Sequence, residues 1–228
     1  MRAGAFEWRA FRELTRLLGR RLDRTGMGRF ARWGSLALGV ACIAWIVVLR
    51  VQDGAHAPTL AVPLKIARAA VWLGALPVAL AAAHQRRLAD RRDGVEAQLL
   101  SRGFSERQQT VARFVAAAAL AGRAVIVPAG VAAIASLAVA PSGSALVDRG
   151  AVLFAVGCFA LVVAAVVAPL GALAEIVAPQ RGRSLVLGLI LGSWALADLT
   201  DNASLSITGV LGLFLRGLVG ALGLGGAG

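Results

Sequence analysis

The sequence predicts an all-α membrane protein: six transmembrane helices preceded by an N-terminal amphipathic interfacial helix, with both termini cytoplasmic. Three observations carry that expectation. Of the 228 residues, 58% are hydrophobic and 16% charged, which is too apolar for an ordinary soluble domain. The apolar residues gather into six runs near the ~20-residue length that crosses a hydrocarbon core of about 30 Å. The 24 basic residues, set against 12 acidic ones, concentrate on one side of the resulting topology.

The expected spans are 33–49, 62–83, 114–140, 150–173, 184–199 and 207–224. They divide the chain into a basic arm over 1–32, a membrane domain over 33–224 with a polar loop at 84–113, and a short tail at 225–228. The first and fifth runs are short. The last is the weakest, because Gly209, Gly212, Gly217 and Gly220 lower helix propensity and Arg216 interrupts it; a re-entrant segment is the alternative to a full span. With the N-terminus inside, 18 of the 24 basic residues fall on the cytoplasmic side, as the positive-inside rule requires. The surplus of positive charge therefore reads as topology rather than nucleic-acid binding. Ala55-His56-Ala57 has the small-residue pattern of a cleavage site, but a 32-residue basic leader is longer than the charged region of a signal peptide.

From Phe6 to Leu22, steps of 100° per residue place Trp8, Phe11, Leu14, Leu18 and Leu22 on one face and Arg9, Arg12, Arg16 and Arg20 opposite. Such a helix is expected to lie in the membrane interface, apolar face at the acyl boundary and arginines at anionic headgroups. A solvated basic helix packed on a partner protein is the alternative. Gly26 and Gly28 would let the chain turn into the first span.

Within the spans, ionisable groups are costly and default to a functional hypothesis. Arg123 could line a substrate path, pair with an acid or snorkel to the headgroups. Arg216 could pair with Glu175, and these three form the possible translocation path. Pro77, Pro128 and Pro169 free backbone carbonyls and permit kinks. Gly188 and Gly192 give a surface for close helix approach, and Trp33, Trp45, Trp72 and Trp194 suit interface anchoring or packing.

No catalytic constellation emerges. His56 and His84, the two histidines, fall on opposite faces, so Ser193 has no base. Pro141-Ser142-Gly143 is followed by Ser144 rather than the histidine a membrane phosphatase needs, Asp198 stands alone, and clustered metal ligands are missing. Cys42 and Cys158 lie far apart in apolar runs and suggest neither a disulfide nor a metal site. The chain has no G-x-x-x-x-G-K-[ST] motif, and no cofactor is expected.

The loop at 84–113 is the most informative segment. Val95 to Arg102 can form two helical turns between Gly94 and Gly103, where the chain can bend. A short helix held parallel to the membrane between two spans can seat in a groove on a cytoplasmic partner and pass force to both; a solvated charged loop is the plainer reading. The run Asp93-Gly94-Val95-Glu96-Ala97-Gln98-Leu99-Leu100-Ser101 resembles the first cytoplasmic loop of ABC-2-type transporter membrane subunits, in which an acidic residue, a glycine and a Leu-Leu-small segment form the coupling helix. Val71-Trp72-Leu73-Gly74-Ala75-Leu76, then Ala79-Leu80 and Asp90 through Glu96, resembles the haem-exporter B subfamily of cytochrome c maturation. Glu96 comes one residue earlier than in that pattern, and Arg102-Gly103 replaces a usual serine-proline pair. The similarity covers roughly 62–199.

That resemblance implies a permease subunit, an exporter, in a bacterial inner membrane. It would work as a homodimer or pseudo-dimer and be driven by a separate ATP-binding cassette ATPase. Asp93, Gly94, Val95, Glu96, Leu99, Leu100, Ser101, Arg102 and Gly103 would form the ATPase contact.

Overall fold

The computed structural model describes residues 8–53, 61–83, 90–139, 144–178 and 180–222. Ala55-His56-Ala57, His84, Pro141-Ser142-Gly143 and the tail 225–228 lie outside them. In chain order the helices are α1 (Trp8–Asp23), α2 (Gly26–Asp53), α3 (Ala61–Ala82), α4 (Val95–Ser101), α5 (Glu106–Ala138), α6 (Ser144–Val177), α7 (Gly182–Leu199) and α8 (Ile207–Ala221). No strand occurs among the described residues. Five stretches, Gly26–Gln52, Ala61–Ala82, Glu106–Ala138, Gly150–Val177 and Gly182–Leu199, are long and apolar enough to cross a membrane. At 15 residues, α8 reaches only about 22 Å, short of the roughly 30 Å hydrocarbon core.

Several helices overrun the apolar runs because polar caps, not the hydrocarbon boundary, decide where they start. Ser105 and Gln108 form a capping box: the Ser105 hydroxyl accepts from the Gln108 backbone N–H at 3.2 Å, and the Gln108 side chain accepts from the Ser105 N–H at 2.8 Å. These bonds satisfy two orphan donors of the first turn, so α5 begins eight residues before the apolar run. The Thr25 hydroxyl likewise accepts from the Gly28 N–H at 2.9 Å, and α2 begins at Gly26 rather than Trp33. The corner between α1 and α2 thus falls at Arg24 and Thr25, not at the glycines. Gly28 serves close approach instead, since a side chain there would strike the Leu22 carbonyl oxygen.

The bundle centres on α5 and α6, which share the broadest interface, with α2 and α3 packed on α5. Its interior is built from small residues, Ala67, Ala70, Ala75 and Ala79 of α3 meeting Ala117, Ala121, Ala129 and Ala132 of α5, filled out by Phe159, Val163 and Val167 of α6. Small residues let helix backbones approach closely where the surroundings offer no hydrophobic drive for association. Ile134, Phe154, Leu161, Leu191 and Leu196 point outward. Apolar exposure on this scale suits lipid rather than water, and the chain is a multi-pass helical membrane protein.

Two of the three prolines have identifiable consequences. Pro128 cannot donate to the Ala124 carbonyl, and the Ser35 hydroxyl of α2 reaches that oxygen at 3.0 Å, within 2.9 Å of the Ala31 carbonyl as well. Its single proton serves one acceptor at a time. Pro77 follows a π-helical turn at Val71–Ala75, closed by the Leu76 N–H donating to the Val71 carbonyl. The extra residue in that turn re-registers the helix around the missing donor. Gly74, inside the turn, lets α3 lie on α5: a Cβ there would come within 2.8 Å of the Ala124 Cβ. Pro169 lies within α6.

The arm packs differently from the expectation in one respect. The leucine face of α1, expected at the acyl boundary, is buried against protein. Leu14 and Leu18 form a cluster with Leu99 of α4 and Ala112 and Ala116 of α5, flanked by Phe11, Val95 and Phe104. The arm can satisfy its apolar stripe here because α5 projects beyond the apolar run and α4 closes over it. Trp8 stays 73% exposed, and Arg9, Arg12, Arg16 and Arg20 face outward.

Candidate functional site: the loop helix and its ion-pair network

The α4 helix is set by its two ends. Gly94 at φ 70° and Gly103 at φ 83° occupy the left-handed region, open to glycine at little cost. At the C-terminal end the Gly103 N–H donates to the Leu100 carbonyl at 2.9 Å and the Phe104 N–H to the Leu99 carbonyl at 3.1 Å. This is a Schellman motif, and its usual apolar contact is supplied by Phe104 beside Leu99. The chain thereby leaves α4 and enters the capping box of α5 within four residues.

Carboxylates on the same segment fasten it to its surroundings. Asp90, its side chain 4% exposed, accepts from Arg21 of α1 at 2.7 Å through one oxygen and from Arg113 of α5 at 2.8 Å through the other. Arg21 also reaches the exposed Asp93 at 3.3 Å. Glu96, likewise buried, accepts from Arg91 Nε at 2.7 Å, and this hydrogen bond and charge hold the Arg91 guanidinium still more firmly in its protonated form. Arg113 Nε is buried without a hydrogen-bond partner among the described residues. A cavity roofed by Leu18 and Leu22 of the arm has Arg21, Asp90, Arg113 and Glu175 in its walls, so four segments distant in sequence bring charge to one place.

The expected contact residues divide into two sets. Leu99 is buried and Val95 half-buried against the protein's own arm and α5, and Glu96 is buried with its carboxylate on Arg91. Asp93, Leu100, Ser101, Arg102 and Gly103 are exposed, together with Ala97 and Gln98, and Gly94 is half-buried. Leu100, at 46%, is the large apolar side chain on the outward face.

The three residues expected along a path through the membrane do not converge. Glu175 lines the cavity beside Ala82, at the polar end of α3. Arg216 is exposed and close enough to Arg68 for their like charges to repel. Arg68 and Ala82 are separated by about 20 Å along α3 at 1.5 Å per residue, so Arg216 and Glu175 do not meet. Arg123 lies in a separate groove beside Arg32. The Gly188 and Gly192 surface of α7 faces outward, and a Cβ at either position would meet nothing within 4 Å.

Sequence reasoning missed Arg21, Asp90 and Arg113 as a unit, although one signal was present. Arg21 lies seven residues after Leu14, only about 20° away on the wheel, and so belongs to the leucine face rather than the arginine stripe. A cation on a face that is buried calls for a buried acid. No protein-family model, curated protein or solved structure matches the chain.

Proposed function

We propose that this chain is the membrane-spanning permease subunit of an ATP-driven transporter of the ABC-2 type, acting as an exporter, with α4 as the element that a separate ATP-binding cassette ATPase pushes. The observation that carries the reading is the mounting of α4. It is a two-turn helix between left-handed glycines, with Leu100 and its polar neighbours outward and Leu99 inward on α5. Force on the outward face passes through Leu99 to Ala112 and Ala116, and through Asp90 to Arg113, so the bundle's central helix takes the load. ATP hydrolysis belongs to the partner. The full assembly is a homodimer or a pseudo-dimer with a second permease, in a bacterial inner membrane, with the short α8 as a sixth span that returns the C-terminus to the cytoplasmic side.

The test is co-purification with the ATPase. Leu100→Asp abolishes capture, whereas Leu99→Asp is uninformative because it breaks the cluster that seats α4. Unchanged capture by Leu100→Asp refutes the docking face. Single cysteines at 56, 97 and 145 in a background without Cys42 and Cys158 test the topology: 56 and 145 label from outside and 97 only from inside.

A second reading, a membrane assembly factor or anchor, is favoured by the outward arginine face of α1. It predicts that partner capture depends on Arg9, Arg12 and Arg16 and is indifferent to Leu100.

A further inference from the structure

Under the corner between α1 and α2 a groove opens outward between α2, α3 and α5, carrying two arginines above an apolar wall. Arg32 and Arg123 line it together with Leu36, Leu120 and Val127. Arg32 reaches Asp23 at 3.3 Å and lies 5.8 Å from the ring of its neighbour Trp33. Trp33 is itself exposed, an aromatic suited to the membrane interface. Arg123 is exposed and makes no hydrogen bond or ion pair with any described residue. It lies ten residues beyond Arg113, about 15 Å further along α5, on a helix long and apolar enough to span. A guanidinium at that depth is costly without a counter-anion, and Asp23 supplies one carboxylate against two cations.

We infer that this groove binds an anionic phospholipid of the adjoining leaflet. Its phosphate is held between the Arg32 and Arg123 guanidinium groups and one acyl chain lies along Leu36 and Val127, each one turn beyond its arginine. The observations favour a lipid over a soluble anion because the apolar wall continues from the charged end toward the bundle's lipid-facing surface. Phosphate suits a guanidinium fork, which donates two parallel hydrogen bonds to one anion. The arm participates through Leu22 and Asp23, so an occupied groove also braces the corner where α1 joins the membrane domain.

The experiment is native mass spectrometry of the full chain released from nanodiscs of phosphatidylglycerol mixed with phosphatidylcholine. The unaltered protein retains one phosphatidylglycerol in preference to phosphatidylcholine. Arg123→Gln lowers that retention by about tenfold or more, the scale of a lost charge-assisted contact. Arg123→Lys restores part of it, because the charge returns without the fork. Arg12→Gln with Arg16→Gln, on the outward face of the arm, leaves it unchanged. Equal retention of the two lipids by the unaltered protein overturns the proposal. So does an equal loss with the arm variant, which would reduce the effect to general surface charge. Displacement of the lipid by millimolar inorganic phosphate alone would make the site a soluble-anion site and overturn it as well. Retention unchanged in Arg123→Gln, with a thermal midpoint that matches the unaltered chain, does the same.

Discussion

Replacing Asp90 by asparagine should release the arm from the bundle. The carboxylate is 4% exposed and gives one oxygen to Arg21 and the other to Arg113, which are 30% and 17% exposed. An amide retains one acceptor oxygen and turns an NH2 group toward the second arginine, so one guanidinium loses its partner and meets a donor. Breaking a buried pair costs about 3–5 kcal/mol. Arg21 can fall back on Asp93 and water, which places the expected effect near the lower limit, about 3 kcal/mol. At 1.4 kcal/mol per decade the undocked arm becomes about a hundredfold more populated. Trypsin reads this directly, because Arg9, Arg12, Arg16 and Arg20 lie on α1 and cleavage of a helix follows its local opening. A second readout comes from Gly19→Cys with Ala116→Cys. A Cβ at residue 19 would stand 3.8 Å from that of Ala116, the spacing of a disulfide, so the bridge forms in the docked arm and slows in Asp90→Asn. Asp93→Asn is the control: that side chain is 56% exposed at 3.3 Å, and its loss should raise cleavage less than about fivefold. Cleavage of Asp90→Asn within twofold of the unaltered protein, or equal to that of Asp93→Asn, would refute the assignment of the arm's docking to this carboxylate.

Ser35→Ala removes the hydroxyl that reaches the Ala124 carbonyl, and should cost about 1–2 kcal/mol, a fall of a few degrees in thermal midpoint for a chain of this size. Adding Pro128→Ala should recover part of that loss, since residue 128 then donates to Ala124, and a double-mutant cycle showing simple additivity would argue against the pairing. Gly74→Ala puts a Cβ 2.8 Å from that of Ala124 and should lower stability by about 1–3 kcal/mol through overpacking, measured by the same melt; Gly130→Ala, with nothing within 4 Å, should not. Gly103→Ala meets no neighbour but must hold φ 83°, so it should cost about 1 kcal/mol, seen as faster hydrogen exchange over 95–104 with the remaining helices unchanged.

The spanning helices were legible because composition and run length report them without any tertiary information. Their ends were not, because a helix boundary is a capping event. Ser105 with Gln108, and Thr25 with the Gly28 N–H, extend α5 and α2 past the point where apolar residues stop. The π-turn before Pro77 follows from packing as much as from the proline. Pro128 is accommodated without one, because Ser35 arrives from another helix to meet the freed carbonyl. A proline marks where a carbonyl will lack its donor, but which group answers it is decided by a neighbouring helix.

The fate of the arm shows why an amphipathic pattern does not identify its own solvent. Leu14, Leu18 and Leu22 announce a buried stripe whether it is covered by acyl chains or by protein, and hydropathy is the same in both cases. Charge on the stripe separates them. A lipid-facing stripe has no use for a cation among its leucines, whereas a protein surface can supply a fixed acid, and Asp90 does so for Arg21 at 2.7 Å. The consequence reaches the loop helix. Because Leu99 is taken up by the arm and α5, the partner proposed above would have only the opposite face of α4 to grip, and a push on that face would be borne by a cluster in which the arm is a structural member. Loosening the arm should therefore soften the connection between α4 and α5 without removing a single residue of the outward face that the proposed partner would touch.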